Sequence, residues 1–365
     1  MNRFLTCGIV AAACVVLGAA QPSQPTFRGT TDIVRVFVTV TDRDGRLVTT
    51  LNRNDFAVRD DGKPQDITTF DNTPQPIRLI VMLDCSGSMS GNLQLLRASA
   101  EQLFVRLRGD DSARVGSFGH DVTISSEFTH NPDALQKALP ESIAPDAPTP
   151  LWRAINEALD GFQQRGSSDS ADGDGRGRDR DRPREVERDQ FGRTKQRANS
   201  GSGSTASGEQ ASVGPNGERP VILVLSDGKD SGPIDFRQRY VSQVEIIDRA
   251  RAEGVMIYGI GMRSRSARPQ QPGIGPGGMM ATLVADMPDP GLAKVAEETG
   301  GGYAEVRYGQ DLGAAFARVA DELHSQYLIG YAPPRKDGKK HDIDVRVTQR
   351  GMEPRARKNY VAAKS

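Results

Sequence analysis

Leu79-Ile80-Val81-Met82-Leu83-Asp84-Cys85-Ser86-Gly87-Ser88 is the stretch on which the reading of this chain turns. Five consecutive apolar residues with no polar alternation predict a strand buried on both faces, as in a parallel sheet covered by helices. The run stops at a carboxylate, and two hydroxyls follow it within four positions. Outward from it, the same pattern recurs. Apolar strands are predicted at 221–225 and 255–260, and a strand pair at 115–118 and 122–125. Helical periodicity covers 93–107, 151–162 and 236–252, the last stopped by Gly254. A final amphipathic helix carries Leu312, Phe316, Val319, Ala320 and Leu323. Strands alternating with helices predict an α/β domain with a doubly wound, mostly parallel, Rossmann-like sheet.

The two ends of the chain read differently. Val34, Val36, Val38 and Val40 share one face of a period-two pattern, followed by the turn Asp42-Arg43-Asp44-Gly45. Phe56 and Val58 lead into Asp60-Asp61-Gly62-Lys63, then Ile67 and Phe70. Near the C-terminus, Leu328 and Ile329 precede Pro333-Pro334, Asp337-Gly338 and the alternating Ile343, Val345 and Val347. Neither end has enough strands to close a core alone. The expectation is one small β-sandwich built from residues 27–75 and 326–362, flanking an α/β domain at 76–325. Residues 163–219 interrupt that domain. Phe191 is their only aromatic after Gln163, and Asp, Arg, Gly and Ser dominate, so the segment is expected to be disordered.

Residues 1–20 read as an export signal: Arg3, an apolar stretch from Phe4 to Leu17, then Gly18-Ala19-Ala20 before Gln21. The mature chain is therefore expected in the periplasm or the medium, with no transmembrane span. Cys7 and Cys14 leave with the signal, so the remaining Cys85 cannot form an internal disulfide. It ends an apolar strand and reads as a small buried thiol. Lys plus Arg and Asp plus Glu both number 47, a balance that argues against nucleic acid or a polybasic membrane contact as the primary partner.

Ligands of open α/β sheets bind at the carboxyl ends of strands, where Asp84, Ser86 and Ser88 are delivered together. Thr149, in Pro148-Thr149-Pro150-Leu151-Trp152, precedes another helix, and Asp227, in Leu225-Ser226-Asp227-Gly228, ends the second central apolar strand. Only oxygen donors are offered. Few carboxylates mixed with neutral hydroxyls suit a hard cation, and favour small octahedral Mg²⁺ or Mn²⁺ over Ca²⁺. The plain alternative for Asp-x-Ser-x-Ser is a helix-capping cluster, which the two distant partners make the weaker reading.

With Asp84, Ser86 and Ser88 followed by Thr149 and then Asp227, the chain resembles von Willebrand factor A-type domains with a metal-ion-dependent adhesion site. The layout is similar to a secreted bacterial group in which a short β segment precedes the domain and a stretch like Tyr327-Leu328-Ile329-Gly330-Tyr331 follows it. The resemblance covers about residues 30–162 and 220–361. It implies that Asp84, Ser86, Ser88 and Thr149 hold the metal directly or through water, and Asp227 often through water. An open position would take an acidic group from a protein or peptide partner.

Enzyme readings fare worse. Asp-nucleophile phosphotransferases place a second Asp where this chain has Ser86, and no Ser stands at the centre of Gly-x-Ser-x-Gly. His120, His130, His324 and His341 are scattered. Gly273-Ile274-Gly275-Pro276-Gly277-Gly278 follows Pro and Gln rather than a strand, so it is no dinucleotide site. Sheet topology predicts that the loop at 263–288 rims the metal face with Arg263, Arg265 and Arg268, and that the turn Gly119-His120-Asp121 joins it. The resulting expectation is an exported, non-enzymatic, metal-dependent binding module with an acidic partner. A metal-independent periplasmic scaffold is the alternative, and the oligomeric state is left open.

Overall fold

The computed structural model describes residues 33–163, 218–227, 229–232, 239–263, 289–307 and 311–364. The predicted signal, nearly all of the 163–219 insert, Arg265 and Arg268 lie outside them. The N-terminal segment forms β1 (Val34–Thr41), β2 (Phe56–Asp60), β3 (Lys63–Gln65) and β4 (Thr69–Asp71). The central region forms β5 (Ile77–Asp84), α1 (Leu93–Phe104), β6 (Ser112–Phe118), β7 (Val122–Ile124), α2 (Pro132–Lys137) and α3 (Leu151–Gln163). It continues with β8 (Arg219–Ser226), α4 (Gln243–Ala252), β9 (Met256–Met262), α5 (Pro290–Thr299), β10 (Tyr303–Val306) and α6 (Leu312–His324). The C-terminal segment adds β11 (Tyr327–Tyr331), β12 (Lys340–Val347), β13 (Glu353–Arg355) and β14 (Asn359–Val361).

The central sheet has the order β10-β9-β8-β5-β6-β7, parallel except for the hairpin strand β7. Its middle strands are apolar over Leu79–Leu83 and Val221–Leu225 because both faces are covered there. Leu79, Val81 and Leu83 of β5 and Val221, Leu223 and Leu225 of β8 join one core with α1 and α6. The residues between them, Ile80, Met82, Ile222 and Val224, join a second core with α3, α4 and α5. The period-two geometry of a strand thus splits one continuous apolar run between two helical layers. This is the doubly wound α/β architecture that the sequence pattern predicts.

Two helix boundaries differ from expectation. α4 begins at Gln243, not Phe236, because Ser242 caps it by accepting from the Glu245 amide at 3.2 Å. α1 stops at Phe104, leaving Val105 76 % exposed. In the α/β domain the sequence pattern predicts none of α2, α5 and β10, although Asp289 caps α5, Pro290 opens it and Gly300 ends it at φ 84°.

The chain ends form two antiparallel four-stranded sheets, β13-β1-β11-β4 and β14-β12-β2-β3. Each draws strands from both termini, and they share one core containing Val34, Val36, Val38, Phe56, Tyr327 and Ile343. β2 and β3 are joined by Asp61 and Gly62 at φ 47° and 78°, the two positive φ values that the tight hairpin turn requires. A buried arginine ties these sheets to the amino ends of the central strands. Arg219, first residue of β8, lies 4.4 Å over the Phe37 ring of β1 and donates to the Leu323 carbonyl at 2.9 Å and to Gln326. Gln326 donates onward to Thr39 Oγ1 at 2.7 Å. Burial lowers the Arg219 pKa to about 10.

Candidate metal centre

The carboxyl ends of β5 and β8 lie side by side, where the strand order reverses about β5. The register that pairs Leu83 with Leu225 brings the next residues, Asp84 and Ser226, alongside each other. Ser226 Oγ donates to Asp84 Oδ2 at 2.6 Å, and the Ser86 amide donates to Asp84 Oδ1 at 2.8 Å. Both carboxylate oxygens are thereby oriented. From Ser86 the network continues through Ser88: their hydroxyls are 3.1 Å apart, and Ser88 Oγ donates to Asp227 Oδ1 at 2.7 Å. Asp84, Ser86, Ser88 and Asp227 form one hydrogen-bonded set.

Thr149 stands on the neighbouring loop, also buried. Its carbonyl accepts from the Leu151 and Ser231 amides, both at 2.9 Å, so it is tied to the start of α3 and to the segment after Asp227. Among the described residues its hydroxyl is not bonded to the other four. What holds this loop against the Asp84–Ser88 loop is a backbone contact at Gly87. The Gly87 amide donates to the Ala147 carbonyl at 2.9 Å, and a Cβ at Gly87 would lie 1.9 Å from the Pro145 carbonyl oxygen. Only glycine permits that approach.

The electrostatics of the pair are unfavourable as they stand. Asp84 is fully buried, and burial followed by the charge of Asp227 raises its pKa from 3.8 to about 7. Burial raises Asp227 as well, against the lowering effect of Ser88. No described cation counters either shift. Asp227 Oδ2 is buried and has no hydrogen-bond partner among the described residues, an arrangement that costs free energy unless something positive meets it. Two carboxylates, one with an unmet oxygen, and the Ser86 and Ser88 hydroxyls, with Thr149 on the adjoining loop, fit a hard divalent cation. Cys85, between the motif residues, is chemically quiet because burial pushes its thiol up to about 12.

Of the rim residues, His120 lies on the β6–β7 turn with Nε2 3.8 Å from Asp146 Oδ1, on the loop that Gly87 contacts. Arg263 follows β9 at the carboxyl edge, but its guanidinium is paired with Glu305 of β10. Its charge is therefore partly answered within the sheet. Arg265 and Arg268 fall outside the described residues. The residue that sequence reasoning missed is Ser226. Its signal was available in its place directly before Asp227, once the β5–β8 register is known. Asp230 was also missed: its Oδ1 accepts from the Trp152 amide at 3.2 Å, and its own amide donates to Asp289 Oδ2 at 3.1 Å. It braces the loop after Asp227 against the starts of α3 and α5.

Residues 79–180 match the family model for the von Willebrand factor type A domain, a span that contains Asp84, Ser86, Ser88 and Thr149. No curated protein matches the chain. Similar solved structures include the conserved hypothetical protein BatB from Bacteroides thetaiotaomicron, at 16 % identity and TM-score 0.38, covering 68 % of this chain and 97 % of that one. An aerotolerance-related membrane protein from Bacteroides fragilis is 14 % identical, with TM-score 0.39, covering 68 % and 98 %. A von Willebrand factor type A protein from Catenulispora acidiphila is 11 % identical, with TM-score 0.41, covering 93 % and 76 %.

Proposed function

Starting from a chain that carries a von Willebrand factor type A domain, we propose that this protein is an exported, non-catalytic module that binds a protein or peptide partner through a divalent cation. Domains of this family mediate protein–protein contacts, and the metal makes that contact selective for acid. Asp84, Ser86, Ser88, Thr149 and Asp227 would hold Mg²⁺ or Mn²⁺. When bound, the ion supplies a fixed positive charge with a coordination position open to a carboxylate. The chain's own residues supply the rest. Ser226 and the Ser86 amide fix both oxygens of Asp84, Ser88 links Ser86 to Asp227, and the Gly87 contact holds the Thr149 loop in place.

The observation that carries this reading is the pair of buried, unneutralised carboxylates, Asp84 and Asp227, with one oxygen unmet. A capping cluster would leave no such deficit. The preference for an acidic partner rests on the metal more than on Arg263, which Glu305 already engages. Among the described residues, His324 is bonded to Asp111 and His341 to Asp61 and Asp337, on other parts of the chain, while His120 stands on the rim beside Asp146. Among the described residues, no helix is long and apolar enough to cross a membrane.

Affinity capture from the exporting cell tests the proposal. Wild-type chain in Mg²⁺ is expected to retain a partner that EDTA releases and that Asp84→Ala does not retain. Retention of the same partner in EDTA and by Asp84→Ala would support the metal-independent scaffold instead.

A further inference from the structure

A second group of potential ligands lies in the terminal sheets, on residues that the first site does not use. Asp60 ends β2, Asp61 begins the hairpin turn after it, and His341 stands on β12, which pairs with β2. One atom from each, two carboxylate oxygens and an imidazole nitrogen, lies within 4.8 Å of the other two. Asp60 and His341 are almost fully buried, while the Asp61 side chain is 38 % exposed.

The surroundings are arranged around one unmet atom. Tyr331 and Tyr360 hydroxyls both donate to Asp60 Oδ2, at 2.9 and 2.7 Å. Asp60 Oδ1 is buried, has no hydrogen-bond partner among the described residues, and faces His341 Nδ1 at 3.8 Å. Asp61 Oδ2 is 2.8 Å from the same nitrogen. The other ring nitrogen, Nε2, is 3.0 Å from Asp337 Oδ1, and the ring stacks on Tyr360 with centroids 5.5 Å apart. An imidazole held at one nitrogen by a carboxylate, with its other nitrogen turned toward two further carboxylates, is the orientation that metal-ligating histidines adopt.

We propose that Asp60 Oδ1, Asp61 Oδ2 and His341 Nδ1 form a Zn²⁺ site, with Asp337 and the two tyrosines as its positioning residues. The imidazole selects Zn²⁺ over the Mg²⁺ of the first site, because hard Mg²⁺ prefers oxygen donors alone. Tetrahedral ligands at about 2.0–2.2 Å from Zn²⁺ stand about 3.4 Å apart. The 3.8 and 2.8 Å separations found here bracket that spacing, and the exposed Asp61 turn supplies the adjustment. The ion takes the place of the Nδ1 proton, which passes to solvent. A fourth position is left for water. Because Asp60 and Asp61 precede the α/β domain while Asp337 and His341 follow it, the ion would fasten the two ends of the chain together.

The test uses Asp84→Ala in the full chain, so that only the second site is read and its failure is separate from failure of the Mg²⁺ proposal. Equilibrium dialysis against Zn²⁺ is expected to show one ion retained per chain, undisplaced by excess Mg²⁺. X-ray absorption of that complex is expected to show a single imidazole among oxygen ligands. Adding Asp61→Asn should abolish retention, and Asn tolerates the positive φ at this turn, so the fold survives and circular dichroism checks it. Adding Asp337→Asn should weaken binding roughly 10–100-fold. No Zn²⁺ retained by Asp84→Ala, or equal retention after Asp61→Asn, would overturn the assignment.

Discussion

In metal-free buffer near neutral pH, Asp84→Asn is expected to melt at a higher temperature than the wild-type chain, and to lose metal-dependent stabilisation altogether. The argument runs through linkage. The folded-state pKa of Asp84 is raised from 3.8 to about 7, so between those values the folded chain holds a proton that the unfolded chain has released. Stability from this group therefore falls as pH rises through that window, and the full penalty stands above pH 7. Three pKa units correspond to about 4 kcal/mol. Asparagine removes the charge and keeps the geometry: its carbonyl accepts from the Ser86 amide and its amide donates to Ser226 Oγ. Thermal denaturation across that pH window in chelator-treated buffer reads the effect as a flatter pH profile for the variant. With Mg²⁺ added, the order reverses, because only wild type gains binding free energy. Equal pH slopes for the two chains would mean that Asp84 carries no buried charge.

Gly87→Ala should be the most damaging single methyl group at the site. Its Cβ would fall 1.9 Å from the Pro145 oxygen and 2.6 Å from the Pro145 carbonyl carbon, both backbone atoms that cannot rotate aside. The Asp84–Ser88 loop and the 145–149 loop must then separate, stretching the hydrogen bond from Gly87 to Ala147. Overpacking of this kind costs about 1–3 kcal/mol. Metal affinity should fall roughly 10–100-fold, the range for losing a group that orients ligands. Gly91 is the control: a Cβ there meets nothing within 4 Å, so Gly91→Ala should bind metal like wild type. Calorimetric titration with Mn²⁺ distinguishes the two, and matching affinities would show that the loops move independently.

The central sheet was legible because burial on both faces leaves an uninterrupted apolar run, and Leu79 to Leu83 and Val221 to Leu225 are such runs. The Asp84, Ser86 and Ser88 cluster was legible because those side chains come from one turn. Ser226 was not, since its role depends on the β5–β8 register between segments far apart in sequence. Arg263 illustrates the same limit. It stands at the carboxyl edge as topology requires, yet its pairing with Glu305 depends on β10, a short strand with only Val306 fully buried. Helix α5 was overlooked despite a Pro at its start and a Gly at its end, because its buried positions include Gly291, Ala296 and Thr299, which make a weak apolar stripe. The Asp60, Asp61 and His341 group lay hidden for a stronger reason. His341 is 280 residues from Asp61, and only the pairing of β2 with β12 brings it to the two aspartates.

The most direct test of the account is Mn²⁺ binding followed by electron paramagnetic resonance, where bound ion loses the sharp signal of the free one. Wild-type chain should hold one Mn²⁺ that Mg²⁺ displaces, and Asp84→Ala should hold none that Mg²⁺ displaces. Free-ion signal undiminished by wild-type chain at millimolar Mn²⁺, or equal Mg²⁺-displaceable binding by both chains, would contradict a metal centre at the ends of β5 and β8.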